Sequence, residues 1–303
     1  MTTIIDDVDV RARLRARDAV HWMGEAIDAH HRGEFVAPPR VHAQLGDGRM
    51  VFTAGELRGS WFGYRSYDTL DLDPGSQVVV VHDATTGVVR VIAMGNELGP
   101  RRTGAIGAVA ADALAAPSAD VAAVIGTGTQ ASAQLWALRT VRELREVRVF
   151  SRDKVHRDAF AHLTAEQLGL ACHSVKSARA ALEGASIVIL ATSSPTPVIK
   201  ASWLARGAYV ATLGPKQRAR AEFGLDLAEA AALLVTDSTQ QMDAYDPPNL
   251  LAATPFRDRM VSLGALRAGE VPRPEPGGIS VFFSVGLAGT EAFLAERLAS
   301  TMH

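Results

Sequence analysis

The chain has 303 residues, 48% of them hydrophobic and 21% charged, which allows a substantial core and is long enough for two domains. A formal net charge of -2 gives no general attraction to nucleic acid or anionic membrane, and no apolar run approaches the ~18 residues of a membrane span. The single cysteine, Cys172, excludes an intrachain disulfide and a cysteine-built metal site, and the acidic Met1 to Asp7 segment lacks the basic region of a secretory signal, so a cytoplasmic protein is expected.

From about Asp7 to His31 the apolar residues Val10, Leu14, Val20, Met23 and Ile27 recur near helical spacing, and Gly33 with Pro38-Pro39 ends the pattern. Arg11, Arg13, Arg15 and Arg17 are read as the wet face of that helix. Short β-rich runs follow at residues 49–53, 61–67, 77–82 and 88–93, broken by Gly46-Asp47-Gly48, Asp73-Pro74-Gly75 and Thr86-Gly87. They predict a mostly antiparallel sheet. A helix is predicted over Thr103 to Ala116, and Pro117-Ser118-Ala119-Asp120 sets the expected domain boundary at 116/117.

Val121 to Ile125 then reads as an apolar strand running into Gly126-Thr127-Gly128-Thr129-Gln130-Ala131, a Gly-x-Gly-x-x-Ala turn followed by a helical pattern with Leu135, Trp136 and Leu138. Such a turn belongs to a dinucleotide site. The first glycine permits the bend, the second lets the backbone approach a pyrophosphate, and the small third residue brings helix and strand together. The phosphates sit on the free amides of the helix N-terminus. A second strand at Val147 to Phe150 completes a strand, helix, strand unit of about 30 residues. The end of that strand selects the cofactor: a carboxylate there bonds a ribose hydroxyl, whereas cations accept a 2′-phosphate. Here Ser151-Arg152-Asp153-Lys154 follows, which favours NADP(H) and leaves NAD(H) open, with Arg152 and Lys154 as a solvated surface pair the competing reading.

Further strands at 187–191, 209–213 and 233–236 alternate with helical stretches and predict an α/β fold, a Rossmann-type doubly wound parallel sheet covering residues 117–285. The stiff Arg273 to Gly278 segment leads to a strand at 279–284 and a last helix over 290–299, which is expected to return to the first, α+β domain, so that 286–303 joins 1–116. No His-x-x-x-His or similar pairing suggests a metal.

The run Ala123 to Ala131, with glutamine after the glycines, resembles the ornithine cyclodeaminase and mu-crystallin family. So do Arg102-Thr103-Gly104-Ala105, Ser186 to Ser194, Val235-Thr236-Asp237-Ser238 and Ile279 to Gly286, in order over most of the chain. The resemblance implies a homodimer formed through the N-terminal sheet, a substrate lying between that sheet and the nucleotide domain, and NAD(P)-dependent chemistry on a small amino or imino acid. The expected activity is a reductase or dehydrogenase. A deaminating lyase that recycles its dinucleotide and an inactive NADPH-binding protein are the alternatives. For the cofactor the reading assigns Gly126, Thr127, Gly128, Thr129, Gln130, Ala131, Ser151, Arg152, Lys154, Thr192, Ser193, Leu213, Ser284 and Gly286.

Carried over by position, Arg40 and Arg102 are the family's carboxylate-binding arginines, a task suited to the guanidinium fork. Where the family has an active-site lysine this chain has Arg65, a third anion clamp and a poor proton donor. Where it has a catalytic aspartate, the chain has Leu213-Gly214-Pro215-Lys216. Lys216 is the expected general acid, with a solvent-facing lysine as the other reading, and Arg65 is its companion in the catalytic set. Tyr64, Tyr67 and His82 are lesser candidates. Three arginines in one pocket suggest a doubly anionic, opine-like substrate.

Overall fold

Asp6 sets the start of the first helix. After strand β1 (Thr3–Ile5) its carboxylate accepts the amides of Val8 and Asp9, and the Asp9 side chain returns to the Asp6 amide, a capping box that opens α1 (Asp7–Arg13). The helix predicted over 7–31 is in fact two. Leu14 turns extended and buries its side chain, and α2 (Ala16–His31) restarts from Arg15, so the arginine run does not line one helical face.

The computed structural model describes residues 1–70 and 77–302; the turn read at Asp73-Pro74-Gly75 lies outside them. The chain divides into two units, residues 1–106 with 286–303, and residues 107–285. In the first, β2 (Phe35–Val36), β3 (Val41–Leu45), β4 (Gly48–Leu57), β5 (Trp61–Asp68), β6 (Val78–Asp83) and β7 (Val89–Met94) join β1 in one sheet. Its order among the described residues is β1-β7-β6-β5-β4-β2, with β3 also on β4. All pairings are antiparallel except β1 on β7, an edge the sequence did not announce because β1 is three residues long. Alternation decides the faces: Val51, Thr53 and Gly55 of β4 are buried while Phe52, Ala54 and Glu56 between them are exposed.

Helix α3 (Leu98–Leu114) carries the chain from one unit to the other, which changes at Ile106/Gly107, earlier than the Pro117 punctuation. The second unit opens with β8 (Val121–Ile125), α4 (Thr129–Leu138), β9 (Glu146–Phe150), α5 (Lys154–Leu168), β10 (Cys172–Ser174), α6 (Ala178–Leu182), β11 (Ile187–Leu190) and β12 (Tyr209–Thr212). It continues with the small hairpin β13 (Lys216–Gln217) and β14 (Arg220–Ala221), then α7 (Leu225–Ala230), β15 (Ala231–Thr236), α8 (Thr239–Asp243), β16 (Met260–Ser262), α9 (Leu263–Arg267) and β17 (Ile279–Phe283). Apart from the hairpin these strands form one parallel sheet in the order β10-β9-β8-β11-β12-β17-β15-β16. In sequence terms its first half runs 3-2-1-4-5, the Rossmann order, in which the connections part between β8 and β11. Every residue of β8, β11 and β12 is buried, as the uninterrupted apolar runs of central parallel strands require.

After β17 the chain re-enters the first unit as α10 (Thr290–Ser300), packed against α2 and strands β5 to β7. Phe293 of α10 meets Phe35 and Trp61 edge-on, with ring centroids 5.7 and 5.9 Å away, and the three rings form the aromatic centre of this unit.

Candidate dinucleotide cradle and arginine cluster

In the second unit the chain leaves β8 at Gly126 with φ +113°, and a Cβ there would sit 2.1 Å from the Ala191 carbonyl. Only glycine fits between the ends of β8 and β11. Gly128 is the N-cap of α4 and no side chain caps it, while a Cβ at this position would meet nothing within 4 Å. The first amides of α4 are therefore left for an anion, with room for it to approach. Ala131 is fully buried, the small third residue at the helix and strand contact.

These features border a cavity of about 720 Å³ at the parting of the strand order. Of the residues assigned from the sequence, Gly126, Thr127, Gly128, Thr129, Gln130, Ser151, Arg152, Thr192, Ser193 and Leu213 line it. His156 and Gly214, which were not foreseen, line it as well. Gln130 keeps a buried Oε1 with no hydrogen-bond partner among the described residues, an acceptor open to a donor group of a ligand. Glycine turn and uncapped helix together fit a dinucleotide pyrophosphate. Three assigned residues lie elsewhere. Lys154 is outside the lining and pairs with Asp158 at 2.7 Å, one helical turn along α5. Ser284 holds its amide on the Thr212 carbonyl at 3.1 Å, and Gly286 belongs to the first unit. Asp153 caps α5, its carboxylate accepting the His156 amide at 2.9 Å.

The lower edge of the cavity holds a feature with no sequence motif. Glu222, fully buried, accepts the amides of Leu213 at 3.0 Å and Gly214 at 2.6 Å on one oxygen, and the amide and hydroxyl of Thr192 at 2.9 and 2.8 Å on the other. Lys216 does not face solvent. It is 2% exposed and its ammonium donates to the carbonyls of Gly214 at 2.7 Å and Leu213 at 3.3 Å.

In the first unit Arg65 of β5 and Arg102 of α3 meet on one carboxylate, that of Glu291 in the first turn of α10. Arg65 Nη1 is 2.7 Å from Glu291 Oε1, Arg102 Nη2 donates to the same oxygen, and the rest of the Arg65 guanidinium is held by Gln77 and lies 4.2 Å over the Tyr67 ring. Arg102 and Arg40 converge at Gly286, whose Cβ position is 3.4 Å from Arg102 Nη1 and 3.3 Å from Arg40 Nη2. The glycine, with φ +87°, leaves that space open to both. Glu291 is 1% exposed. Burial pushes its carboxyl up, but Arg102 and then Arg65 outweigh it and hold the group at about 2, so it is ionised. The sequence showed Glu291 only as one residue of a terminal helix. Its partners lie 189 and 226 residues away, beyond any spacing rule. His82 and Tyr64 are not in this cluster: His82 stacks on Phe62 with centroids 4.9 Å apart and on Tyr64 at 6.4 Å.

Among the described residues no group of His, Cys, Asp and Glu is placed to hold a metal ion, and no helix is long and apolar enough to cross a membrane.

Comparison with known proteins agrees with this architecture. The family model described as "Ornithine cyclodeaminase/mu-crystallin family" matches residues 1–298. A protein of Rhizobium meliloti is 37% identical over 180 residues, 59% of this chain and 54% of that protein, so the chain spans about half the length of this relative. A Delta(1)-pyrroline-2-carboxylate reductase of Bacillus thuringiensis is 28% identical over 73% of this chain and 69% of its own. The solved Delta(1)-pyrroline-2-carboxylate reductase of Thermococcus litoralis, in complex with NADH and L-proline, superposes with a TM-score of 0.89 at 23% identity, covering 98% of this chain and 96% of that one.

Proposed function

Because the chain belongs to the ornithine cyclodeaminase/mu-crystallin family, we propose that it is a nicotinamide-dependent reductase of small cyclic α-imino acids, working with NADPH in preference to NADH. The observation that carries the reading is the uncapped α4 N-terminus beside Gly126 and Gly128, a cradle for a pyrophosphate. The reductase reading is further supported by relatives that are pyrroline-2-carboxylate reductases. When bound, the nicotinamide supplies hydride.

The chain's own residues divide the remaining tasks. Thr129 and Gln130 offer main-chain and side-chain groups to the pyrophosphate, and Thr192 and Ser193 offer hydroxyls to the ribose. Ser151 and Arg152 are assigned to a 2′-phosphate; Asp153 lines the cavity beside them, its carboxylate engaged by the α5 N-terminus. Arg40 and Arg102 take the substrate carboxylate, fixing the carbon that receives hydride. Arg65 and Arg102 both donate to Glu291, and Arg65 is also held by Gln77 and Tyr67, so Glu291 already balances part of the positive charge that three clamps suggested for a second substrate carboxylate. A cyclic imine takes its proton from water before reduction. The nitrogen keeps that proton, the carbon gains hydride, and no side chain has to donate. This is compatible with an arginine at 65 and a lysine at 216 where the family pattern has a lysine and an aspartate, and it sets reduction ahead of deamination, which needs a group to manage water attack.

Seven large apolar side chains, Ile4, Val41, Leu45, Phe52, Phe62, Tyr64 and Met94, are exposed on the described strands of the first unit's sheet. Such a surface on one sheet marks a protein contact, and a second copy of the chain is the assigned partner. The reading is tested by following reduced cofactor consumption with cyclic α-imino acids, α-keto acids with amines, and ornithine, with ammonia measured in parallel. Consumption of NADPH by a cyclic α-imino acid without ammonia is expected. Ammonia from ornithine with no net cofactor change would replace the reductase by a lyase.

A further inference from the structure

The Leu213–Gly214 segment, at the end of β12 and in the wall of the cavity, has its polar groups held on both sides by buried charges. Its two amides go to the Glu222 carboxylate and its two carbonyls to the Lys216 ammonium. Glu222 also draws in the amide and hydroxyl of Thr192, just past the end of β11. Lys216 opens the small β13–β14 hairpin, where it pairs with Ala221, and Glu222 follows the hairpin directly, its amide closing on the Pro215 carbonyl at 2.9 Å.

Burying an ammonium and a carboxylate costs several kcal/mol each unless hydrogen bonds compensate, and an apolar pair often serves stability as well or better. Closing a two-residue hairpin therefore does not call for these charges. They do fix main-chain groups at the ends of two adjacent strands, where an open sheet positions a ligand at the carboxyl edge. The packing leaves the segment little latitude: a Cβ at Gly214 would sit 2.2 Å from the Thr192 carbonyl and 2.4 Å from Glu222 Oε2.

We infer that Lys216 and Glu222 form a main-chain clamp that sets the Thr192 and Leu213–Gly214 walls of the cavity, and that Lys216 is a positioning residue for the dinucleotide, not the proton donor its place in the sequence suggested. The inference rests on the dinucleotide reading of the cavity. It is tested with Lys216→Met, Lys216→Arg and Glu222→Gln, measuring the dissociation constant of NADPH and of NADH by fluorescence, amide hydrogen exchange at Thr192, Leu213 and Gly214 in the cofactor-free protein, and the pH profile of kcat. Loss of one charge-assisted clamp weakens dinucleotide binding by about tenfold or more. The Thr192 and Gly214 amides lose protection in the cofactor-free protein, Leu213, whose amide the Leu190 carbonyl also accepts at 2.9 Å, changes less, the shape of the pH profile is unchanged, and Lys216→Arg recovers part of the binding. Unchanged dissociation constants and protection would overturn the clamp, and so would a collapse of kcat with a lost limb of the pH profile at unaltered cofactor affinity, the mark of a proton donor. If Lys216→Met does not fold, Glu222→Gln reads the same exchange and affinity changes. Failure of the unaltered protein to bind either reduced dinucleotide would remove the cofactor reading; amide protection unaffected by Glu222→Gln would then remove the clamp on its own evidence.

Discussion

Glu291 and Glu222 carry more of the architecture than any residue the sequence singled out, and both do so by collecting donors from distant segments. Glu291 joins β5, α3 and α10 through Arg65 and Arg102, and the sign of its pH effect follows from its depressed ionisation. Its carboxyl lies at about 2 when folded against an ordinary 4.5, so its contribution is fully present above the ordinary value and is lost as pH falls from there toward 2. A shift of this size corresponds to about 3 kcal/mol. Glu291→Gln is therefore expected to lower the unfolding free energy from urea titration at neutral pH by that order, and to flatten its dependence on pH between about 4.5 and 2. A variant with the same steep acid loss as the unaltered protein would place that loss in another carboxylate. Neither glutamate was legible in the sequence. Gly126, Gly128 and Ala131 were, because their roles are local and set by a turn, whereas a carboxylate that collects amides across a fold leaves no periodic trace.

At the scale of elements, strand and helix identities in the second unit followed from apolar runs and their punctuation, and the observed β8, β9, β11 and β12 fall within a residue or so of the predicted runs at each end. Boundaries failed where caps decided them. The first helix splits at Leu14 because burying that side chain outweighs one more helical turn, and no glycine or proline warned of it. Helix α3 shows a second device hidden in sequence. The carbonyls of Ala111 and Asp112 in its last turn, and of Ala115 and Ala116 just past it, all accept from the buried guanidinium of Arg142, which also pairs with Asp112 at 2.8 Å. Arg142→Met keeps the apolar stem and removes every one of these donors. It is expected to cost about 3 kcal/mol, read as a drop in thermal midpoint, with dinucleotide affinity within about twofold of the unaltered protein. An unchanged midpoint would mean that water satisfies the helix end as well as the guanidinium does.

For the whole molecule, the boundary expected at Pro117 differs from the change of units at Ile106/Gly107, because α3 runs across it, and α10 belongs to the first unit, where Phe293 packs on Phe35 and Trp61. The apolar sheet face gives an assembly prediction: Phe62→Glu with Tyr64→Glu puts charge on two exposed neighbours of β5 and is expected to turn a dimer into a monomer by light scattering, with the melting temperature nearly unchanged. A protein that is monomeric before substitution would remove the second copy as the partner. The proposed reductase activity has hydride passing from a bound nicotinamide to the α-carbon of the imino acid. The most direct measurement is mass spectrometry of the product formed from a cyclic α-imino acid and NADPH carrying deuterium at the transferable position. The account predicts an amino acid with one deuterium on its α-carbon for each NADPH oxidised, and product without deuterium, or cofactor oxidised with no amino acid formed, would contradict it.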